Sequence, residues 1–207
     1  MMVGSLINGI LRLWVRFIKN SYKDESYLTH TLPVEKKTIY ASKVISALVS
    51  IFLTSIAIIV CLFICYYSEA NIQVVKAMLE LAASTYNTTV LNLLLLVSIV
   101  ITLQIVFIVI IGYVGIILGH KSNKGKIIKS IVISFAFYMA TQMVSIILIY
   151  IFGLFNSNIM NLISTTNAIN TETIKVLMYG AIGLYLVYIG FYYILGKKAF
   201  EKGINVD

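Results

Sequence analysis

The sequence predicts an all-α integral membrane protein: four full transmembrane helices, preceded by a partial N-terminal helix and a short helix at the cytoplasmic surface. Three observations carry this reading. Of 207 residues, 60% are hydrophobic and only 12% charged, about half the charge of an average soluble domain. One soluble core cannot hide so much apolar surface. Four stretches without a formal charge each reach the roughly 20 residues that cross a bilayer. Fourteen of the sixteen Lys and Arg fall on alternate loops, as the positive-inside rule requires. A disordered tail, a disulfide scaffold and an ordinary soluble enzyme are excluded by the same composition.

The elements follow in chain order. Residues 1–11 are uncharged and too short to span, so residues 1–19 are expected to form only a partial helix. Arg12 and Arg16 come after this run, the reverse of a signal peptide. Residues 20–43 form a basic cytoplasmic region, residues 44–196 hold the four spans, and residues 197–207 form a Lys-rich tail. The spans centre on residues 45–67, 90–119, 130–155 and 176–196. At about 1.5 Å per residue the second exceeds the hydrocarbon core, so it must tilt, project or break, with Gly112 and Gly115 as the expected place. Cys61 and Cys65 sit one helical turn apart in the first span, without the further ligands zinc needs, and read as small apolar residues.

Charge fixes the orientation. Residues 12–43 hold seven basic and three acidic side chains, and residues 120–129 hold four basic and none acidic. The intervening loops, 68–89 and 156–175, have one Lys each. The basic loops are therefore expected in the cytoplasm, with the C-terminus, and the net charge of +8 needs no nucleic acid to explain it. Aromatic residues close the spans at Tyr66 and Tyr67, at Tyr150, Phe152 and Phe155, and at Phe191, Tyr192 and Tyr193, as interface belts do.

None of the four spans contains Asp, Glu, Lys, Arg or His. Proton-coupled carriers and intramembrane metalloproteases require such groups, so both classes are disfavoured. No phosphate-binding P-loop motif occurs. The spans instead carry small polar stripes: Ser46, Ser50 and Thr54; Ser130, Ser134, Thr141 and Ser145; and the pair Gly115 and Gly119. These predict helix–helix seams in which hydroxyls bond across the contact. Gln104 and Gln142 are the most polar side chains in the spans, and Tyr185, Tyr188 and Tyr192 line one face of the last. Core packing is the simpler account of these positions, with a substrate path as the sharper one. His30 and His120 lie in loops without a nucleophile or metal-ligand cluster and read as solvated.

Residues 16–43, RFIKNSYKDESYLTHTLPVEKKTIYASK, are the informative segment. Pro33 suits a first helical turn, Thr31 can cap it, and Glu35 sits at the positive helix end. Val34, Thr38, Ala41 and Ile45 would form one face, and Lys36, Lys37, Ser42 and Lys43 the other. This segment resembles the stretch between the second and third helices of permease subunits of type-two ABC exporters. It shares Arg16-Phe17-x-Lys19, Asp24-Glu25-x-Tyr27-Leu28-Thr29-x-Thr31-Leu32-Pro33-Val34 and Ser42-Lys43. The following spans, basic loop and Lys-rich tail repeat the family's pattern.

The resemblance implies a membrane-spanning permease subunit energised by a separate ABC ATPase. It further implies a second permease copy or a related permease in a dimer, and a bacterial cytoplasmic membrane. ATP and magnesium would then belong to the ATPase, with no cofactor, metal or catalytic residue on this chain. The ATPase contact would be Tyr27, Leu28, Thr31, Leu32, Pro33, Val34, Glu35, Lys36 and Lys37, and Gln104, Gln142, Tyr185 and Tyr188 would mark a substrate path. Six helices are usual in the family, so residues 1–15 match the end of its second helix and imply a chain truncated at its N-terminus. The alternative function is a non-transporting membrane scaffold or regulator whose basic loops contact lipid.

Overall fold

The computed structural model describes residues 2–23, 26, 31, 33–122, 124–155, 159 and 171–202, and these contain helices and no strand. The helices are α1 (Met2–Tyr22), α2 (Lys36–Tyr66), α3 (Glu69–Thr85), α4 (Val90–Gly119), α5 (Lys126–Phe155) and α6 (Thr171–Glu201). Four of them, Lys36–Tyr66, Val90–Gly119, Lys126–Phe155 and Thr173–Glu201, are long and apolar enough to cross a membrane. The chain thus fits a multi-pass membrane protein. Its large apolar side chains are exposed along these helices, for example Phe52, Ile59, Ile64, Ile128, Ile146 and Val187. That is the surface expected where lipid rather than water is the solvent.

α1 runs through Arg12 and Arg16 to Tyr22, where the partial helix was expected to end at residue 19. Its periodicity explains this: Leu13 and Phe17 recur on one side while Arg12, Arg16 and Lys19 recur on another. α2 differs more. The helix expected from Pro33 begins at Lys36, with Glu35 O accepting from Thr38 N at 2.9 Å. It then continues unbroken for 31 residues, so the surface segment runs into the first span as one element. The expected apolar face was also rotated. Val34 and Ile45 are exposed, whereas Ile39, Tyr40, Val44, Ala47 and Ile51 are buried.

α4 is also continuous over 30 residues, about 45 Å of helix. Gly112 and Gly115 do not break it; they make room for neighbours, as described below. α3 lies in a loop where no element was expected. It ends in Asn87 at φ 43°, with Thr88 N donating to Ala83 O and Asn87 N to Ser84 O. This left-handed cap satisfies carbonyls that would otherwise be orphaned.

Two compact units divide the chain. The first comprises residues 1–65, 106–138 and 189–207, and the second residues 66–105 and 139–188. Fourteen of the sixteen Lys and Arg belong to the first unit, and only Lys76 and Lys175 to the second. The first unit holds the larger core, with Phe17, Tyr22, Tyr40, Phe107, Tyr113, Val114, Tyr192 and Phe200 all buried. Tyr192 is thus a core residue rather than part of an interface belt. In the second unit Lys175 Nζ donates to Asn87 O at 3.0 Å, tying the start of α6 to the cap of α3.

Candidate functional site

The first unit carries an exposed lead-in to α2. Thr31, Pro33, Val34, Glu35, Lys36 and Lys37 are all exposed; Tyr27, Leu28, Leu32 and His30 lie outside the described residues. Glu35 and Lys37 form an ion pair at 2.5 Å. Both are at the surface, so the pair positions charge rather than holding the fold. Val34 is an apolar side chain standing 47% exposed beside this charge.

One turn further on, the lead-in is clamped. Tyr40 is fully buried, with its ring 5.6 Å from Tyr193 and 5.8 Å from Phe200. Phe200 lies 6.3 Å from Phe17, which stacks on Tyr113 at 4.1 Å. Aromatic contacts of this kind contribute about 0.5–1.5 kcal/mol each beyond burial. They join α1, α2, α4 and α6 around one cluster. Sequence reasoning missed it, although the 3.6-residue recurrence of large apolar side chains in α1 was available.

The Tyr40 hydroxyl is buried and hydrogen-bonds to no described residue. It abuts Gly196, where an added methyl group would meet that hydroxyl and lie 2.9 Å from Tyr40 Cζ. Gly196→Ala is therefore expected to cost about 1–3 kcal/mol by overpacking. Tyr40→Phe removes only an unpartnered polar atom and should be close to neutral. Combined, the two substitutions should be less damaging than Gly196→Ala alone, a coupling that thermal unfolding of the four proteins in detergent would measure.

His120 is not a solvated loop residue. It is buried, stacks on Tyr22 at 4.2 Å, and its Nδ1 lies 2.9 Å from Ile116 O, placing the donated proton on Nδ1. Tyr22 holds its place beside it with a hydroxyl that burial raises well above the ordinary phenol range. An unfolded chain ionises Tyr at about pH 10. From there upward the unfolded state binds fewer protons than the folded state, so stability falls with rising pH. The alkaline decline in unfolding midpoint should be shallower for Tyr22→Phe than for the parent protein.

The stripe of Gly115 and Gly119 packs closely against Ser130 and Ser134. A methyl group added at Gly119 would stand 2.5 Å from Ser130 N and 2.6 Å from its Cα, and one at Gly115 would stand 2.8 Å from Ser130 O. This is the expected α4–α5 seam. Its hydroxyls donate within their own helix, Ser130 to Lys126 O and Ser134 to Ser130 O, each at 2.8 Å, and the Ser130 oxygen also lies 3.4 Å from His120 Nδ1 just past the end of α4. Ser50 and Thr54 likewise donate one turn back within α2. Back-bonding satisfies a hydroxyl in an apolar setting without any partner helix. Gly112 makes the same kind of room for the Trp14 indole of α1.

Gln104, Gln142, Tyr185 and Tyr188 all fall in the second unit, on α4, α5 and α6, and all are half-buried. Tyr188 pairs its hydroxyl with Ser145 at 3.0 Å, three residues beyond Gln142. In the first unit the Tyr192 hydroxyl donates to Phe137 O at 3.3 Å. Two of the three tyrosines on this face of α6 therefore hold α6 to α5, the packing role rather than a free lining role. Among the described residues, no three His, Cys, Asp or Glu side chains gather where a metal could be held. Comparison with family models, with curated proteins and with solved structures returns no match.

Proposed function

We propose that the chain is the membrane-spanning permease subunit of an ATP-driven exporter, energised by a separate ABC ATPase. The observation that supports this most is the build of α2. An exposed lead-in, residues 33–37, continues without a break into a 31-residue helix, and Tyr40 fixes its first turns in the aromatic cluster. A partner gripping Pro33, Val34, Lys36 and Lys37 would move a bilayer-length rod rather than a flexible loop. ATP-driven closure of the partner would then favour one arrangement of the spans, because the ATPase contacts the two arrangements unequally.

On this reading ATP and magnesium belong to the ATPase, and the chain itself carries no catalytic group. The basic ends face the cytoplasm of a bacterial cell, with α6 ending there. Residues 52–65 of α2 contain no buried side chain, which leaves that half of the helix for lipid or for a second permease copy. Gln104, Gln142 and Tyr185 remain the positions best suited to meet cargo. Affinity-tagged protein extracted in mild detergent should bring an ABC ATPase with it. Recovery of the chain alone, from cells expressing the neighbouring genes, would contradict the reading.

A further inference from the structure

A groove of about 560 Å³ opens in the first unit between α1, α4 and α5. Leu11, Val15, Ile111, Ile116, Ile131 and Phe135 give it apolar walls. Its two serines, Ser130 and Ser134, have already spent their hydroxyl protons on their own helix, so they offer a ligand no donor. The volume falls within the range of about 300–1,000 Å³ that small-molecule sites occupy. Walls of this chemistry suit an acyl chain.

Beside the groove runs a second, polar recess along α1, lined by Asn8, Arg12, Arg16, Lys19 and Asn20, and sharing Leu11 and Val15 with the apolar groove. Arg12, Arg16 and Lys19 are exposed and spaced at i, i+4 and i+7, so three cations border one edge of an apolar slot. An anionic headgroup there would meet Arg12 and Lys19 while its chain filled the slot, a charge complement that a neutral lipid does not offer. α1 would accordingly lie in the interface, its cations at headgroup depth and its apolar side facing the chain.

We infer that the groove of α1, α4 and α5, with its Arg12–Arg16–Lys19 edge, is a specific site for one anionic phospholipid. This does not rest on the transport reading and holds equally for a non-transporting membrane protein.

The test is native mass spectrometry of the full chain in mild detergent, titrated with palmitoyl-oleoyl phosphatidylglycerol and with the phosphatidylcholine of identical chains. Phosphatidylglycerol should bind about tenfold or more tightly. Arg12→Gln with Lys19→Gln should remove most of that preference; Arg16 is spared because it also lines a recess beside Tyr113. Ile131→Trp, which fills the slot from an exposed position, should weaken both lipids. Lys124→Gln, Lys198→Gln and Lys202→Gln together serve as a control of equal or greater charge loss and should leave the preference intact. Equal binding of the two lipids would overturn the inference. So would an equal loss in the control, which would assign the effect to general surface charge. A dimer that Ile131→Trp dissociates without weakening lipid binding would instead assign the groove to a second copy and overturn it too.

Discussion

Gly119→Ala is expected to destabilise the protein severely, while Gly183→Ala leaves it unchanged. Both glycines lie in membrane-length helices and the two substitutions are chemically identical. At Gly183 an added methyl group meets nothing within 4 Å. At Gly119 it meets the Ser130 backbone at 2.5 and 2.6 Å, and backbone cannot rotate aside as a side chain can. The only relief is to shift the start of α5, but that segment is tethered to α4 through a short turn containing Gly125 at φ 66°. Ser130 also stands 3.4 Å from His120 Nδ1, and His120 stacks on Tyr22. Separation of α4 from α5 would therefore loosen the seat of α1 as well. Overpacking costs about 1–3 kcal/mol where neighbours can adjust, and this site belongs at or above the upper end. That is about two orders of magnitude in the folded-to-unfolded ratio. Unfolding of both variants in mixed micelles of rising denaturing detergent would measure the difference. Equal midpoints would mean that the α4–α5 seam is not closely packed.

Much of this fold was legible in the sequence, and the reasons are specific. Charge-free runs bounded by Lys-rich loops identify α2, α4, α5 and α6, because an unpaired charge in hydrocarbon is too costly to scatter at random. Gly115 and Gly119 likewise revealed a seam, because only small residues permit backbones to approach so closely. α1 ends at Tyr22, close to the expected end at residue 19; Arg12 and Arg16 interrupt its apolar run, so it fails as a span although it succeeds as an amphipathic helix. The buried face of α2 was misplaced because Tyr40 is pulled inward by Tyr193 and Phe200, partners that lie far along the chain. His120 was misread for a similar reason, since only the fold brings Tyr22 over its ring. The hydroxyl stripes make both kinds of hydrogen bond: Ser145 pairs across to Tyr188 of α6 as expected, whereas Ser50, Thr54 and Ser134 satisfy themselves one turn back. Pro33, Val34, Glu35, Lys36 and Lys37, the residues expected to meet a partner, stand exposed at the start of α2.

The second large effect concerns that surface. Pro33→Asp together with Val34→Asp places two carboxylates where an apolar turn is proposed to enter the ATPase. Neither native side chain is buried, so the helix, its Tyr40 anchor and the α4–α5 seam lose no contact, and the unfolding midpoint should match the parent's. Burying even one unpaired carboxylate in a protein interface costs several kcal/mol, enough to lower affinity by about a thousandfold or more. The decisive measurement is the amount of ABC ATPase that copurifies with equal quantities of folded parent and double variant. A stable complex is expected for the parent and background levels for the variant. Equal retention of the ATPase by a correctly folded double variant would contradict the proposed contact.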